Sequence, residues 1–146
     1  MSAVTEFVIN ECTRQNDLNT QSVADMVEAW YCAKTEKFCA YPFTIESIAY
    51  LGNKVKPSNS WFRNTPVVFS NGNSGAPHSE IRRLLEKLLE CLKDGLLSAD
   101  EFYYEFERIH PFEDGNGRVG AILWNIINGY LDEPVCPPEM FESLAQ

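Results

Sequence analysis

Basic residues are scarce in this chain of 146 residues, which has 12 Lys and Arg against 21 Asp and Glu and a formal net charge of -9. A nucleic-acid groove needs clustered cations to neutralise the phosphate backbone, and the sequence offers no such cluster. The sequence also lacks an apolar run long enough to span a bilayer. We therefore expect neither a nucleic-acid partner nor a membrane partner.

Paired cysteines are absent as well. The five cysteines are odd in number and scattered, without the Cys-x-x-Cys spacing of a zinc site or a redox dithiol: Cys12, Cys32, Cys39, Cys91 and Cys136. The first residues lack the basic start and the apolar run of a signal peptide. These absences predict a soluble, cytoplasmic protein. Carriage by a phage or delivery by a secretion system stays open, because neither needs a cleavable signal.

The residues that are present suffice for one core, since 45% are hydrophobic and 12% are aromatic, and this predicts a single domain over residues 1–146. Apolar residues at helical spacing predict a series of helices. Their predicted limits are Asn19-Thr20, Thr44 to Gly52, Pro77 to Gly95, a capping box at Ser98–Glu101 that leads to His110, and a last helix ended by Gly129 and Pro134. Pro137-Pro138 is expected to open a short C-terminal turn.

Residues 53–77 have a different character. The β-branched run Val67-Val68-Phe69 is followed by the turn-forming run Asn71-Gly72-Asn73-Ser74-Gly75. This pattern predicts a short β-hairpin.

The run of residues 110–118, His-Pro-Phe-Glu-Asp-Gly-Asn-Gly-Arg, combines several groups that act on phosphates. His110 can take a proton near neutral pH, Asp114 can hold a hard cation, and glycines let main-chain amides approach an anion. Alone, residues 114–117 could form only a tight turn, and Arg118 could be a solvated residue at a helix end. Apolar residues at helical spacing on both sides predict that the run joins two helices.

The same run resembles the signature of the Fic family, H-P-F-x-(D/E)-G-N-G-R-x-x-R, and matches every fixed position except the last, where this chain has Ala121. Fic proteins transfer a nucleotide monophosphate, most often AMP from ATP, to a Ser, Thr or Tyr hydroxyl of a target protein. The resemblance implies that His110 is the general base, that Asp114 holds Mg²⁺ and that Phe112 anchors the loop. It also implies a phosphate cradle made of Gly115, Asn116, Gly117 and Arg118.

The segment Trp61 to Phe69 is similar to the aromatic-Arg pair that leads into the flap of the same family. The resemblance covers about residues 40–131, with the flap at about 61–75. It implies a mainly α fold, a helical bundle with a short β-hairpin flap over the active-site loop. The target would dock on the flap as an extended strand, along Val67, Val68 and Phe69. Arg63 and His78 are expected to have ordinary surface or capping duties, and Glu113 to have no role.

Ala121 leaves both the donor and the activity open, because the family's second Arg contacts the outer phosphates and pairs with an inhibitory glutamate. The family's inhibitory sequence, (S/T)-x-x-x-E-(G/N), has only a poor counterpart here, Ser2 to Glu6. The chain could be an unrestrained or toxin-like enzyme, or one controlled by a separate inhibitor or antitoxin protein. It could also be a degenerate module that binds a nucleotide or a protein without turnover. A phosphate transfer like that of Doc proteins ranks lower, because their motif has Ala-Asn-Lys at the positions of residues 115–117.

Overall fold

A computed structural model of the chain describes residues 2–69 and 71–138. The α-helices of that part are α1 (Ala3–Arg14), α2 (Thr20–Thr35), α3 (Ile45–Val55), α4 (Ile81–Lys93), α5 (Ala99–Ile109) and α6 (Asn116–Asn128). Short 3-10 turns at Lys37–Cys39 and His78–Glu80 precede α3 and α4. The mainly helical class predicted from the sequence is confirmed.

Side-chain caps fix the starts of α1, α2, α3 and α5. In each case the side-chain oxygen of the cap accepts a hydrogen bond from the amide three residues further on, which satisfies a donor that the helix itself cannot pair. The caps are Ser2, Asn19, Thr44 and Ser98. The Glu101 carboxylate also accepts a hydrogen bond from the Ser98 amide at 2.8 Å, so the predicted capping box is confirmed.

Two helix starts differ from the prediction. The sequence analysis assigns no element to the residues before Asn19, and Val4, Phe7 and Val8 there form part of a buried stripe that packs α1 onto the core. Pro77 is predicted to begin a helix, but a 3-10 turn follows it and α4 begins at Ile81. The turn predicted at Pro137-Pro138 extends outside the described residues.

The hydrophobic core lies between all of these helices. Its largest fully buried aromatic side chains are Trp30, Phe102, Phe106 and Phe112. Helix α5 packs most extensively on α6, so the loop that joins them is held from both sides. In the described ranges, no helix combines the length and apolarity that a bilayer span requires.

The flap, residues 61–75, shows only a small part of the β-hairpin that the sequence predicts. Its described residues form no strand, and their pairing is limited to one antiparallel bridge between Val68 and Ser74. Two hydrogen bonds flank this bridge, from the amides of Phe69 and Gly75 to the carbonyls of Asn73 and Val67. The next hydrogen-bonded pair of a longer ladder would be Thr65 with residue 77, and it cannot form because Pro77 has no N–H to donate.

Candidate active site

His110 lies where α5 ends and the loop of residues 110–118 begins. Its main chain is left-handed, with φ 54° and ψ 64°, while its amide still donates to the carbonyl of Phe106 at 3.0 Å. This conformation turns the chain sharply out of the helix. The buried imidazole packs edge-on against Phe69 of the flap, with ring centroids 4.9 Å apart. The flap and the end of α5 therefore hold the imidazole between them.

The imidazole of His110 is neutral near pH 7. Burial lowers the pKa of His110 to about 4, and the positive charge of Arg63 acts in the same direction. The main chain of Glu107 and the carboxylate of Asp114 oppose this lowering of the pKa. Nδ1 has no hydrogen-bond partner within the described ranges. A neutral imidazole in this position can accept a proton.

Side chains outside and inside the loop fix its shape. The Asn116 side chain accepts a hydrogen bond from the Phe112 amide and donates one to the Phe112 carbonyl, both at 2.8 Å. The Phe112 ring is fully buried against Gly52, which leaves no room for a Cβ there. Asn59 donates to the carbonyl of Asp114 at 2.8 Å. The predicted anchor therefore lies in the core, and the Asn116 side chain bonds the loop rather than facing a ligand.

The first amides of α6 are placed where an anion could bind. Gly115 precedes the helix with φ 83°, a conformation that favours glycine, and no side chain caps the helix there. The amides of residues 116–118 have no acceptor in the described part of the chain. Unpaired amides and the helix dipole both favour negative charge at such a position.

Arg118 extends this anion site into the protein. Its side chain is only 1% exposed, and its NH2 lies 3.1 Å from Asp17 Oδ2 and 3.4 Å from Asp114 Oδ1. Its Nε and NH1 have no partner among the residues described. Buried polar atoms are nearly always hydrogen-bonded, so two unpaired guanidinium nitrogens indicate a site made for an anion.

The loop between α1 and α2 covers part of this site. The Gln15 side chain lies so close to Gly117 that a Cβ at Gly117 would overlap it. The Asp17 carboxylate occupies one edge of the Arg118 guanidinium. An incoming phosphate must therefore compete with Asp17 for Arg118.

Asp114 is the carboxylate at the mouth of the cradle. Its side chain is 52% exposed, Oδ1 accepts a hydrogen bond from the Gly115 amide at 2.8 Å, and Oδ2 lies 3.5 Å from Lys56 Nζ. The described residues contain no cluster of three or more metal-binding side chains. Mg²⁺ is often held by one or two carboxylates, with substrate phosphates and water completing the shell. The residues present therefore fit Mg²⁺ in company with a phosphate.

Arg63 is buried and not at the surface, but its hydrogen bonds to the carbonyls of Ile109 and His110 at the end of α5 agree with the capping duty that the sequence suggests. Its side chain is 4% exposed, although it carries a full charge. It is buried because its guanidinium satisfies main-chain carbonyls that no strand or helix pairs: those of Thr65, Ala76, Ile109 and His110. The other two residues agree better with expectation, since His78 is exposed and Glu113 is exposed.

Glu107 borders the same cavity and is also buried. Burial raises the pKa of Glu107 to about 8, repulsion from Glu11 adds to this, and Arg14 opposes it. Its Oε1 has no partner in the described ranges, and a Cβ at Gly120 would come within 2.8 Å of that oxygen. The carboxyl group is therefore protonated near pH 7, beside the catalytic candidate His110.

Two cavities lie beside the loop. The smaller, about 100 Å³, is lined by Gln15, Glu107, His110 and residues 113–118. It can hold phosphate groups, whereas sites for whole ligands of nucleotide size occupy roughly 300 Å³ or more. The larger, about 990 Å³, is an open groove between the flap and helices α4 and α5. Of the predicted docking residues, Val68 is exposed, Val67 is half-buried and Phe69 is buried.

The structure thus brings together His110, Asp114 and the cradle of residues 115–118, as the motif suggests. Sequence reasoning missed Asp17, Arg63 and Glu107. The first two reach the site from distant parts of the chain, whereas Glu107 lies in the last turn of α5. For Glu107 a signal existed, because it precedes His110 by three residues on one helix face. For Asp17 no signal existed, because the polar loop between α1 and α2 has no recognisable pattern. Ser2 and Glu6, the poor counterpart of the family's inhibitory sequence, lie at the start of α1, whereas Asp17 follows its end.

Ala121, at the position of the missing second Arg, is fully buried in the core. Besides Arg118, the half-buried Lys56 lies near Asp114. The outer phosphates of a nucleotide would therefore meet a different set of side chains here.

Comparison with known proteins agrees with this geometry. The family model of the Fic/DOC family matches residues 50–127, more than half of the chain. A probable protein adenylyltransferase of Aquifex aeolicus (strain VF5) is 48% identical over 50 residues, which are 32% of this chain and 14% of that protein. The protein adenylyltransferase Fic of Nematostella vectensis is 38% identical over 77 residues, which are 45% of this chain and 17% of that protein.

Among solved structures, a Fic domain containing signalling protein of Bacteroides thetaiotaomicron VPI-5482 has a TM-score of 0.61 at 24% sequence identity. The likeness covers 73% of this chain and 46% of that one, and it concerns the fold alone. The aligned parts thus span less than half of each of these proteins. The region matched by the family model contains the flap, α4, α5, the loop of residues 110–118 and nearly all of α6. This chain belongs to the Fic/DOC family.

Proposed function

We propose that this chain transfers a nucleotide monophosphate, in the first place AMP from ATP, to a Ser, Thr or Tyr hydroxyl of a target protein. Membership of the family supports this, as do two relatives named protein adenylyltransferases. Because the aligned parts are short, the proposal depends mainly on the chemistry of the site.

One observation carries it: a buried guanidinium with two unpaired nitrogens lies beside the unpaired amides of a helix start. Arg118 and residues 116–117 supply these donors, and the neutral His110 lines the same cavity of about 100 Å³. Donors without protein partners are suited to phosphate oxygens, and an unprotonated imidazole is suited to a hydroxyl proton.

In the proposed reaction His110 takes the proton of the target hydroxyl while the hydroxyl oxygen attacks the α-phosphorus. A new O–P bond forms, the bond from the α-phosphorus to the bridging oxygen breaks, and pyrophosphate leaves. The amides of residues 116–118 and the Arg118 guanidinium bind the charge that develops on the phosphate oxygens. The imidazolium then returns its proton to water.

Asp114, which is half-exposed at the mouth of the cradle, is the residue proposed to hold Mg²⁺. When bound, the ion neutralises charge on the phosphates and on the leaving group. Lys56, 3.5 Å from the same carboxylate, adds a positive charge at the mouth.

The flap is proposed to dock the target as an extended segment. The amides of Val68 and Ser74 have no main-chain partner among the residues described, so each edge of the flap can still pair with another chain. The groove of about 990 Å³ lies beside the Ser74 edge and can receive side chains of the target. A separate inhibitor protein is proposed as a second partner, since Glu6 lies far from the cradle along α1.

The test is intact-protein mass spectrometry after incubation with Mg²⁺ and a cell lysate, with ATP, GTP, UTP and CTP supplied separately. Each donor leaves its own mass, and addition of a nucleotide monophosphate to this chain or a lysate protein is expected. The adduct is expected to persist in His78→Ala, which removes the exposed histidine, and to vanish in His110→Ala. Addition of a bare phosphate would instead indicate a Doc-like reaction.

A second candidate is favoured by Ala121, which stands at the position of the family's second arginine. A degenerate module would bind nucleotide or a partner without turnover. This candidate predicts nucleotide binding in calorimetry with no adduct for any donor.

A further inference from the structure

Arg63 is a buried cation that has no acidic partner in the described part of the chain. Its side chain is 4% exposed, and burial lowers the pKa of Arg63 with no carboxylate contributing. Burying a charge is costly unless every donor is satisfied. Here the donors of the guanidinium are satisfied by carbonyl oxygens alone. This indicates that Arg63 holds in place the segments to which these carbonyls belong.

These carbonyls come from two separate segments. NH1 donates to Thr65 at 2.7 Å and NH2 to Ala76 at 2.6 Å, at the two ends of the flap pairing. Nε donates to the carbonyl of His110 at 2.6 Å, and NH2 also reaches that of Ile109 at 3.1 Å. The planar guanidinium has five donors in a fixed arrangement, so one side chain can bond both segments at once.

The described residues of the flap form a single antiparallel bridge, and Thr65 lies just outside the hydrogen bond between Gly75 and Val67. In a longer hairpin the Thr65 carbonyl would accept a hydrogen bond from residue 77, but Pro77 has no N–H to donate. Arg63 bonds this carbonyl in its place and also bonds the carbonyl of Ala76 on the other arm of the flap. Its own amide donates to the carbonyl of Pro111 at 2.9 Å, which adds a contact to the catalytic loop.

The same contacts set the distance between the flap and the imidazole. Phe69 of the flap packs edge-on against His110, and a Cβ at Gly75 would lie 2.9 Å from Arg63 NH2 and 3.3 Å from His110 Cβ. The flap, the guanidinium and the imidazole are therefore packed without spare room.

We infer that Arg63 is a positioning residue, which fixes the flap against His110 so that a docked target presents its hydroxyl to the imidazole. This inference rests on the proposed function for its catalytic consequence, but the link between flap and loop can be measured without any turnover. It assigns Arg63 to recognition of the protein target and not to nucleotide binding.

The test uses Arg63→Lys, which keeps the charge but loses the planar array of donors, and Gly75→Ala, which crowds the guanidinium without removing it. The exposed arginine of α4, Arg83→Lys, is the matched control. Hydrogen exchange is expected to show at least about tenfold weaker protection of the Phe69 and Gly75 amides in both test variants, with unchanged protection in α2. The control is expected to match the wild type.

In transfer assays with ATP and a cell lysate as acceptor, the initial rate of AMP transfer to lysate proteins is expected to fall about a hundredfold, while the Kd for ATP stays within about twofold. Unchanged flap protection in either folded variant would overturn the inference. Equal loss of protection in the flap and in α2, or failure of both variants to fold, would show a merely structural role and would also overturn it. If the wild type transfers nothing, the exchange result still decides the link between flap and loop, while the proposed function fails by itself.

Discussion

Three titratable side chains lie around the proposed phosphate cradle, and each affects what the site can bind. Arg118 offers unpaired nitrogens, Asp17 occupies part of the same guanidinium, and Glu107 is held protonated beside them. A phosphate in the cradle would therefore meet a cation, an anion and a neutral acid, in addition to Asp114 at the mouth.

Asp17→Asn is predicted to raise the affinity for ATP or pyrophosphate. The neutral amide no longer competes as an anion for Arg118, whose NH2 lies 3.1 Å from the carboxylate. A charged hydrogen bond contributes roughly 1.5–3 kcal/mol, and phosphate binding must give up part of the bond between Asp17 and Arg118. Because this cost is smaller with asparagine, an increase of about three- to tenfold in affinity is expected. Isothermal calorimetry measures it, with the exposed Asp132→Asn as control. Equal or weaker binding by Asp17→Asn would contradict the competition.

Glu107 is predicted to make stability fall between pH 6.5 and pH 8. The pKa of Glu107 is about 8 in the folded state against an ordinary 4.5, so in this window the folded protein keeps a proton that the unfolded chain has lost. Raising the pH therefore favours unfolding, by up to about tenfold in the equilibrium constant per pH unit. His110 has the opposite effect only below pH 6.5, since its pKa is lowered from 6.5 to about 4.

Urea unfolding at pH 6.5, 7.2 and 8 checks this prediction. Glu107→Gln, which is neutral at every pH, should abolish most of the decline, whereas the exposed Glu90→Gln should leave it intact. A wild-type slope that persists in Glu107→Gln would contradict the assignment.

At the scale of elements, the loop of residues 110–118 depends on α3. Phe112 is clamped by Asn116 and its ring lies on Gly52, so the start of α6 is fixed by the packing of a distant helix.

Gly52→Ala is therefore predicted to destabilise the fold, although alanine favours helix by roughly 0.5–1 kcal/mol over glycine. The new Cβ would overlap the buried Phe112 ring, and overpacking typically costs about 1–3 kcal/mol. Urea unfolding gives the free energy. In a Phe112→Leu background the cost of Gly52→Ala should shrink, because the smaller side chain leaves room. A stabilising effect of Gly52→Ala would show that the ring can move aside.

Local signals explain how much of these elements the sequence predicts. Helix caps and apolar stripes act within a few residues, so they can be recognised from the sequence. Examples are the caps Thr44 and Ser98 and the stripes of α2 to α6. The flap is different, because the guanidinium of Arg63 bonds Thr65 and Ala76 in place of a strand ladder. No local sequence pattern predicts such a contact.

At the scale of the whole molecule, a chain of net charge -9 concentrates buried positive charge at one place. Arg118 is buried in the proposed cradle, and Lys56 lies at its mouth. In the proposed function these cations attract the polyphosphate of a nucleotide to an otherwise acidic protein. The motif predicts the catalytic loop, but the covering of that loop by residues 15–17 depends on tertiary packing and cannot be read from the sequence.

The central claim is that His110 directs the transfer of the α-phosphate with its nucleoside. The most direct measurement supplies ATP labelled at either the α- or the γ-phosphate and follows label on protein. The account predicts label from the α-phosphate only, in the wild type and in His78→Ala, and none in His110→Ala although calorimetry still detects nucleotide binding. Label from the γ-phosphate, or equal α-label in His110→Ala, would contradict it.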